Sequence, residues 1–374
     1  ALQQKSHETV LEINLNALVN NLNYYRTRLK PITKIMAMVK AFSYGSGSYE
    51  IANTLQFHRV DYLAVAYADE GVELRKAGII VPIMVMNPEE GSFDAMITHQ
   101  LEPEIYSFRI LDKLEKAIRK NIIPLNKPVK IHLKLDTGMH RLGFQEEHIQ
   151  QLIDRLKGNK LIYVESVFSH LAASDDPGQD AFTREQIRKF EEMAEQIKEA
   201  AGHPVMMHIS NSAGISRFPE AQYQMVRLGI GLYGISNNQE ERKSLENIST
   251  LKSIISQIKH IPQGETVGYN RHGRSEDIMT IGTVPIGYAD GLHRMLGNGQ
   301  GHFFINGTMA PIVGDVCMDM CMIDLTGIDA NEEDEVILFG KERPIVDLSK
   351  EMKTIPYEVL SGISRRVKRV YYHE

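Results

Sequence analysis

Only two cysteines, Cys317 and Cys321, occur in the 374 residues. That excludes a disulfide scaffold and suits a reducing cytoplasm. No apolar run approaches the ~20 residues a membrane helix needs, so no membrane partner is expected. The opening residues, ALQQKSHETV, hold no apolar core of a secretory signal. They also lack a starting methionine, and we expect a chain trimmed or excised from something longer. Positive charge is not in excess. Lys and Arg number 42 against 48 Asp and Glu, a formal net charge of −6. Nucleic acid usually selects a basic surface, so it is not expected as a partner. There is no internal repeat and no low-complexity segment. Hydrophobic residues make up 43% and charged residues 24%, which fits neither disorder nor a fibrous repeat. At ~150 residues per domain the length predicts two domains or three.

Short apolar runs alternate with amphipathic stretches up to about residue 240. The runs at 34–40, 62–66, 82–86, 102–106, 129–136, 161–169, 206–210 and 224–234 read as eight strands. They are near-continuously apolar or rich in β-formers, as parallel strands buried on both faces are. Helical patterns at 48–59, 68–78, 92–100, 108–121, 146–158, 180–201 and 211–218 separate them. A further helix over 16–29 precedes the first strand, with Asn16 as its expected N-cap. This alternation predicts an α/β fold, a closed (β/α)8 TIM-type barrel over residues 1–240, with a doubly wound sheet as the alternative. Beyond it, the segments 250–261, 265–270, 278–288, 302–306, 309–313, 317–325 and 335–339 read as short strands between turn signals such as Asn306-Gly307. A late helix over 356–366 and a last strand over 368–373 complete a mainly-β domain, residues 241–374. The strand-like stretch 9–15 can pair with that domain.

Function in such a barrel collects at the C-terminal ends of the strands. Lys40 closes the first run. Burial lowers the pKa of a lysine and suits it to attack a carbonyl, although a lysine surfacing before a flexible turn fits as well. Lys134 lies in mid-strand among apolar neighbours, so it points inward and needs a negative partner. Arg141 follows in a glycine-bearing loop, where a guanidinium can fork a carboxylate with two hydrogen bonds. His170 ends another run and on its own reads sooner as a packing histidine than as a functional one. At Asn211-Ser212 small polar residues open a helix after a strand, which suits a phosphate and equally a plain N-cap. Arg227 stands inside an apolar strand and needs a partner, and Gly229 beside it permits close backbone approach. In the second domain Tyr269 and Tyr288 each adjoin a glycine. Cys317 and Cys321 lack enough neighbouring ligands for zinc, so no metal is expected, and the thiols read as small core side chains.

Taken together, several segments resemble the alanine racemase family in order and spacing. They are Val39-Lys40-Ala41 with Tyr44-Gly45, the stretch from Lys134 to Gly143, Asn211-Ser212, Arg227-Leu228-Gly229-Ile230, Gly287-Tyr288-Ala289-Asp290-Gly291 and Cys317-Met318-Asp319. The resemblance runs from about residue 9 to 372. It implies a pyridoxal-phosphate (PLP) barrel followed by a mainly-β domain. It further implies a cytoplasmic homodimer that interconverts L- and D-alanine for peptidoglycan synthesis, with sites shared between subunits. By this resemblance Lys40 carries the cofactor, and Tyr44, Ser212, Gly229, Ile230 and Tyr357 contact its phosphate. Arg227 lies beside the pyridine nitrogen with His170 next to it. Tyr269, supplied by the partner subunit, is the second base. Arg141 and Met318 contact the substrate carboxylate, while Tyr288 and Asp319 support the entryway. Lys40 serves the D-enantiomer and Tyr269 the L-enantiomer, and a cationic Arg227–His170 neighbourhood favours the phenolate. Lys134 matches a lysine often carbamylated in the family, a change that turns a buried cation into an anion able to hold Arg141.

The sequence departs from the family pattern at two motifs. Asn-Ala-Tyr-Gly-His-Gly after the lysine is replaced by Phe42-Ser43-Tyr44-Gly45-Ser46-Gly47, and Ser-Tyr-Gly by Gly268-Tyr269-Asn270. These departures leave serine or broad-specificity racemases as an alternative on the same scaffold, with an amino-acid decarboxylase and a non-catalytic PLP-binding protein behind them. The style of the motifs also resembles racemase halves fused to a cell-wall ligase, which implies a covalent ligase partner.

Overall fold

A first strand, β1 (Val10–Asn14), precedes eight short parallel strands that curve into a near-closed barrel. These are β2 (Lys34–Met38), β3 (Tyr62–Val65), β4 (Ile83–Val85), β5 (Glu102–Ile105), β6 (Val129–Lys134), β7 (Ile162–Phe168), β8 (Met206–His208) and β9 (Met225–Leu228). The computed structural model describes residues 7–120 and 127–373. The first six residues and the end of the helix expected over 108–121 lie outside them. In space the strands run β8-β7-β6-β5-β4-β3-β2-β9. Between β9 and β8 there is no ladder, but the Arg227 N–H donates to the Ser210 carbonyl at 2.9 Å across the seam. Helices cover the outer face, so strands such as β3 and β4 are buried along their whole length, which accounts for their unbroken apolar character.

The observed strands are shorter than the apolar runs. β2 ends at Met38, so Lys40 begins the turn beyond the strand rather than closing it. His170 likewise stands two residues past β7, and Lys134 is the last residue of β6, not a mid-strand one. The run 224–234 keeps only β9 as strand and then tightens into a 3-10 turn over Ile230–Tyr233. The helix Leu15–Arg26 is capped by Asn14, whose side chain accepts the Ala17 N–H at 3.0 Å. Asn16, expected as the cap, is inside the helix.

The second sheet has nine strands. Its order is Gln257–Ile261, Met279–Val284, Cys321–Asp324, Thr308–Val313, His302–Ile305, Glu335–Phe339, Ser249–Ile254, β1 and Lys368–Tyr372. β1 is held on both edges, antiparallel to Ser249–Ile254 and parallel to Lys368–Tyr372. The chain therefore passes from this sheet through the barrel and back. Segment 250–261 divides into two strands. Segment 278–288 stops at Val284, because Pro285 has no N–H to offer a ladder. The helix Ile345–Glu351 was not anticipated. Cys321 is fully buried in its strand, whereas Cys317 is half-buried in the preceding loop, so only one of the two thiols is core.

Candidate active site

Lys40 opens a turn of unusual backbone. Ala41, Phe42, Ser43 and Tyr44 all have φ between 49° and 56°, a left-handed run that costs roughly 1–2 kcal/mol per residue. The C-terminal segment holds it there. The Arg369 guanidinium donates to the Gly45 carbonyl at 2.9 Å, and the Tyr371 hydroxyl donates to the Ser46 carbonyl at 3.0 Å. Arg365 and Arg369 lie over the Phe42 ring at 4.5 and 5.4 Å. From below, Glu70 accepts the Ala41 N–H at 2.6 Å. Gly45, with φ of 80°, has no room for a side chain, since a Cβ would lie 2.1 Å from the Leu360 carbonyl oxygen. Gly45→Ala should therefore destabilise the protein by about 2–5 kcal/mol, the sum of left-handed strain and overpacking. Gly327, at φ of 76° with nothing within 4 Å, is the control, and Gly327→Ala should cost only the backbone strain, about 1–2 kcal/mol. Urea midpoints measure both, and equal losses would mean that no clamp acts on Gly45.

The same turn brings Tyr44 to the opening of the barrel. Its ring meets Tyr233 and Tyr357 edge-on, at centroid distances of 4.8 and 5.7 Å. Its hydroxyl lies 3.1 Å from where a Gly229 Cβ would be. Asn211 caps the helix Ser212–Arg217 by accepting the Gly214 N–H. The Ser212 hydroxyl accepts the N–H groups of Gly229 and Gly231 at 3.0 and 3.3 Å. Tyr44, Ser212, Gly229, Ile230 and Tyr357 are thus gathered at one rim. This rim is a cradle of hydroxyls and backbone N–H groups that an added Cβ would fill, and its chemistry fits a phosphate. Burial pushes the Tyr44 phenol up and the Tyr357 phenol up to about 12. Both therefore stay protonated at neutral pH and can donate.

Arg227 is held deep in the barrel. Its Nη1 donates to His208 Nδ1 at 2.8 Å, and its Nη2 donates to the Ser169 and Ile209 carbonyls at 2.6 and 3.0 Å and to His170 Nδ1 at 3.2 Å. Nε–H has no partner among the described residues and remains the donor available to an acceptor such as a pyridine nitrogen. Burial lowers the Arg227 pKa to about 10, so it remains a cation at neutral pH. Because arginine only donates, His208 Nδ1 must accept, and the remaining directions follow. His208 Nε2–H donates to Ser166 Oγ at 2.8 Å, Ser166 to His132 Nδ1 at 2.6 Å, and His132 Nε2–H to Glu102 at 2.8 Å. A buried cation is thereby linked to a carboxylate by a one-way chain. Burial and Arg227 push both His208 and His170 well below the usual histidine range. This corrects one expectation, for the lowered His170 pKa makes Arg227, and not an Arg227–His170 pair, the cation at this point, with Lys134, Arg141 and Lys40 as further basic neighbours.

Toward the mouth, burial and then Arg141 lower the pKa of Lys40, which favours its free amine. Arg141 is exposed and makes no hydrogen bond among the described residues. Asp136 is engaged with its own loop, accepting the N–H groups of Gly138 and His140. Lys134 packs its Nζ 4.5 Å over the Phe168 ring. Glu104, absent from the sequence expectations, is 2% exposed and faces this group of cations. Its signal was available, since Glu102 and Glu104 alternate along one strand and His132 and Lys134 along the next. Polar residues at period two within a buried sheet line one face.

The structure does not bring Tyr269 into the lysine pocket of its own chain. It is 67% exposed, beyond Gly268 at φ of 79°. It opens on a cavity of about 830 Å³ whose lining includes Tyr288, Arg294, Cys317 and Thr354. Met318 and Tyr288 are exposed near it. Their loops are tied together, for the Tyr288 and Ala289 N–H groups donate to the Cys317 and Met318 carbonyls. Arg366 bridges buried Asp290 and Asp319 at 2.6 and 2.7 Å. No group of three His, Cys, Asp or Glu among the described residues could hold a metal.

Residues 13–237 match the family profile described as the alanine racemase N-terminal domain, and residues 248–371 match its C-terminal domain. A protein named alanine racemase from Methanococcus maripaludis is 36% identical, over 98% of this chain and 100% of that one. Alanine racemase 2 of Caldanaerobacter subterraneus is also 36% identical, over 98% and 95%. Among solved structures, an alanine racemase of Clostridium difficile superposes with a TM-score of 0.92 at 36% identity, covering 99% of this chain and 97% of that one. One from Bartonella henselae, described as having covalently bound pyridoxal phosphate, superposes at 0.88 with 27% identity, covering 98% and 99%.

Proposed function

This chain belongs to the alanine racemase family, and we propose that it interconverts L-alanine and D-alanine with two bases, Lys40 and Tyr269 of the partner subunit. It is a pyridoxal-phosphate-dependent racemase. The observation that carries the assignment of its site is Arg227, a buried cation whose Nη groups are fully engaged while Nε–H is free. An always-protonated donor leaves a ring nitrogen unprotonated, whereas a carboxylate there would favour its protonation. That choice restrains carbanion chemistry other than proton return and speaks against a decarboxylase.

When bound, the cofactor supplies an electron sink for the pair left behind by the α proton. The residues that would hold it are Lys40 through its amine, the Tyr44, Ser212, Gly229, Ile230 and Tyr357 rim at the phosphate, and Arg227 at the ring nitrogen. Lys40 Nζ, whose pKa is lowered by burial and then by Arg141, takes the α proton from one face of the substrate. The partner's Tyr269 hydroxyl returns a proton to the other face, and in the reverse direction each group exchanges its role. Arg141, whose guanidinium makes no hydrogen bond among the described residues, orients the substrate carboxylate, helped by the Met318 backbone N–H. Tyr288 and Asp319 support the channel beside it. The exposure of Tyr269 on the sheet domain of its own chain supports a site shared between two subunits. No helix among the described residues is long and apolar enough to cross a membrane. Two unpaired thiols accord with a reducing, cytoplasmic setting, and the reaction itself would supply D-alanine for peptidoglycan.

Borohydride reduction of the cofactor-loaded protein, followed by peptide mapping, should place a pyridoxyl group on Lys40. Chiral analysis should find L-alanine formed from D-alanine without release of carbon dioxide. Label on another lysine would overturn the site. Faster turnover of serine than of alanine would make it a serine racemase on the same scaffold.

A further inference from the structure

Four basic side chains converge at the substrate end of the barrel from three elements. Lys40 comes from the turn after β2, Lys134 and Arg141 from β6 and its loop, and Arg227 from β9. Lys134 and Arg227 lie over the same Phe168 ring, at 4.5 and 5.2 Å. Lys134 is 6% exposed and forms no hydrogen bond or ion pair among the described residues. A buried lysine left so needs a negative neighbour. Two other carboxylates at the mouth are already engaged. Asp136 is bound to the N–H groups and ring of His140, and Glu70 accepts the N–H groups of Ala41, Ala66 and Tyr67.

Glu104 is the remaining candidate, and its placement is fixed by register. On parallel neighbours β5 and β6, Glu104 pairs with His132. Glu102, two residues earlier on the same face, bonds His132 inside the barrel. Glu104 therefore points inward one layer nearer the mouth, as Lys134 does two residues beyond His132. Lys134, Arg227, Arg141 and Lys40 all lie near enough to favour its charged form against burial. Burial pushes Glu104 up and Lys134 down, and each partly restores the charge of the other.

Resting on the racemase reading above, we propose that Glu104 is the resident anion of the substrate-carboxylate pocket, a positioning residue that balances Lys134 and sets Arg141, and that it keeps Lys134 an unmodified amine. A buried amine is otherwise open to carbon dioxide. Its lone pair adds to the carbon, one C=O pair moves onto oxygen, and a proton leaves to solvent. The carbamate so formed would be a second anion beside Glu104, buried with it and repelled by it. One carboxylate supplied by the chain makes the other anion redundant.

The holoenzyme equilibrated with ¹³C-bicarbonate tests this by ¹³C NMR. The wild type should show no protein carbamate resonance, and its activity should not depend on bicarbonate. Glu104→Gln should gain the resonance and lose it again in Glu104→Gln/Lys134→Met. Without bicarbonate, Glu104→Gln should raise KM for alanine by roughly tenfold or more, as removal of a buried charge partner does, with a smaller change in kcat. Bicarbonate should reverse much of that rise. A carbamate on wild-type Lys134 overturns the proposal even if the variant fails to fold. So does a Glu104→Gln enzyme with unchanged KM and no carbamate. The resonance is read without turnover, so an inactive wild type would count against the racemase reading and not against this one.

Discussion

Lys40→Ala should lower racemisation by roughly 10³-fold or more, since a positioned general base alone contributes about 10²–10⁴ and this lysine also anchors the cofactor. The loss should fall on proton exchange from D-alanine and L-alanine together, because cofactor placement serves both faces. Cofactor affinity should fall less than activity. The phosphate rim of Tyr44, Ser212 and Gly229 and the donor at Arg227 do not depend on the lysine Nζ. Methylamine supplied in solution should restore part of the rate, because it can replace the amine but not its orientation. The pH dependence carries a sign as well. Burial lowers the Lys40 pKa, so the free amine of the unloaded site is present below the ordinary lysine range of about 10.4. Chemical labelling of that amine should therefore rise at lower pH than for surface lysines. Initial rates on both enantiomers, read by chiral chromatography, decide the main point. A variant retaining more than about a tenth of the activity would lie outside what loss of a general base allows and would remove Lys40 from the chemistry.

How much of this was legible in the sequence depends on what each feature requires. The barrel strands were legible because both of their faces are buried, and β3 and β4 carry that requirement in nearly every residue. Their ends were not, because strand length is set by where the neighbouring strand stops. Lys40 and His170 thus lie two residues beyond the strands they were expected to close. Asn14 displaced Asn16 as a cap because both are competent caps, and only the pairing of β1 with Ser249–Ile254 decides where the helix begins. The left-handed run from Ala41 to Tyr44 had no local signal at all. None of the four is glycine or asparagine, and the groups that hold them are distant in sequence, Glu70 from below and Arg369 and Tyr371 over 320 residues away.

The buried polar set was legible in another way. Glu102, Glu104, His132, Lys134, Ser166, His208 and Arg227 are each improbable inside an apolar strand. Read one strand at a time, each looks like an isolated exception. Read across β5 to β9, they form a single inner surface on which every bonded donor has an acceptor, from Arg227 to Glu102. Half-satisfied polar networks are unfavourable in a core, so the unbroken run of bonds from Arg227 to Glu102 is itself a reason that Arg227 stays fixed.

Equal amounts of Lys40→Ala and Tyr269→Ala subunits, co-expressed, should recover roughly a quarter of wild-type activity although each variant alone is nearly inactive, given closed two-fold pairing. The arithmetic rests on which chain supplies which base. Lys40 lies at the barrel mouth under the C-terminal clamp, and Tyr269 stands 67% exposed on the sheet domain. If each site takes Lys40 from one subunit and Tyr269 from the other, a mixed dimer collects both lesions in one site and leaves the other intact. Random pairing makes half of the dimers mixed, and each mixed dimer has one intact site of two. If instead both bases came from one chain, every site in every dimer would carry a lesion and mixing would restore nothing. Orthogonal affinity tags on the two subunits show that mixed dimers form, and their isolation should raise recovery from about a quarter to about half, one sound site in two. Tagged mixed dimers without activity would mean that the exposed Tyr269 serves a purpose other than proton transfer across the interface.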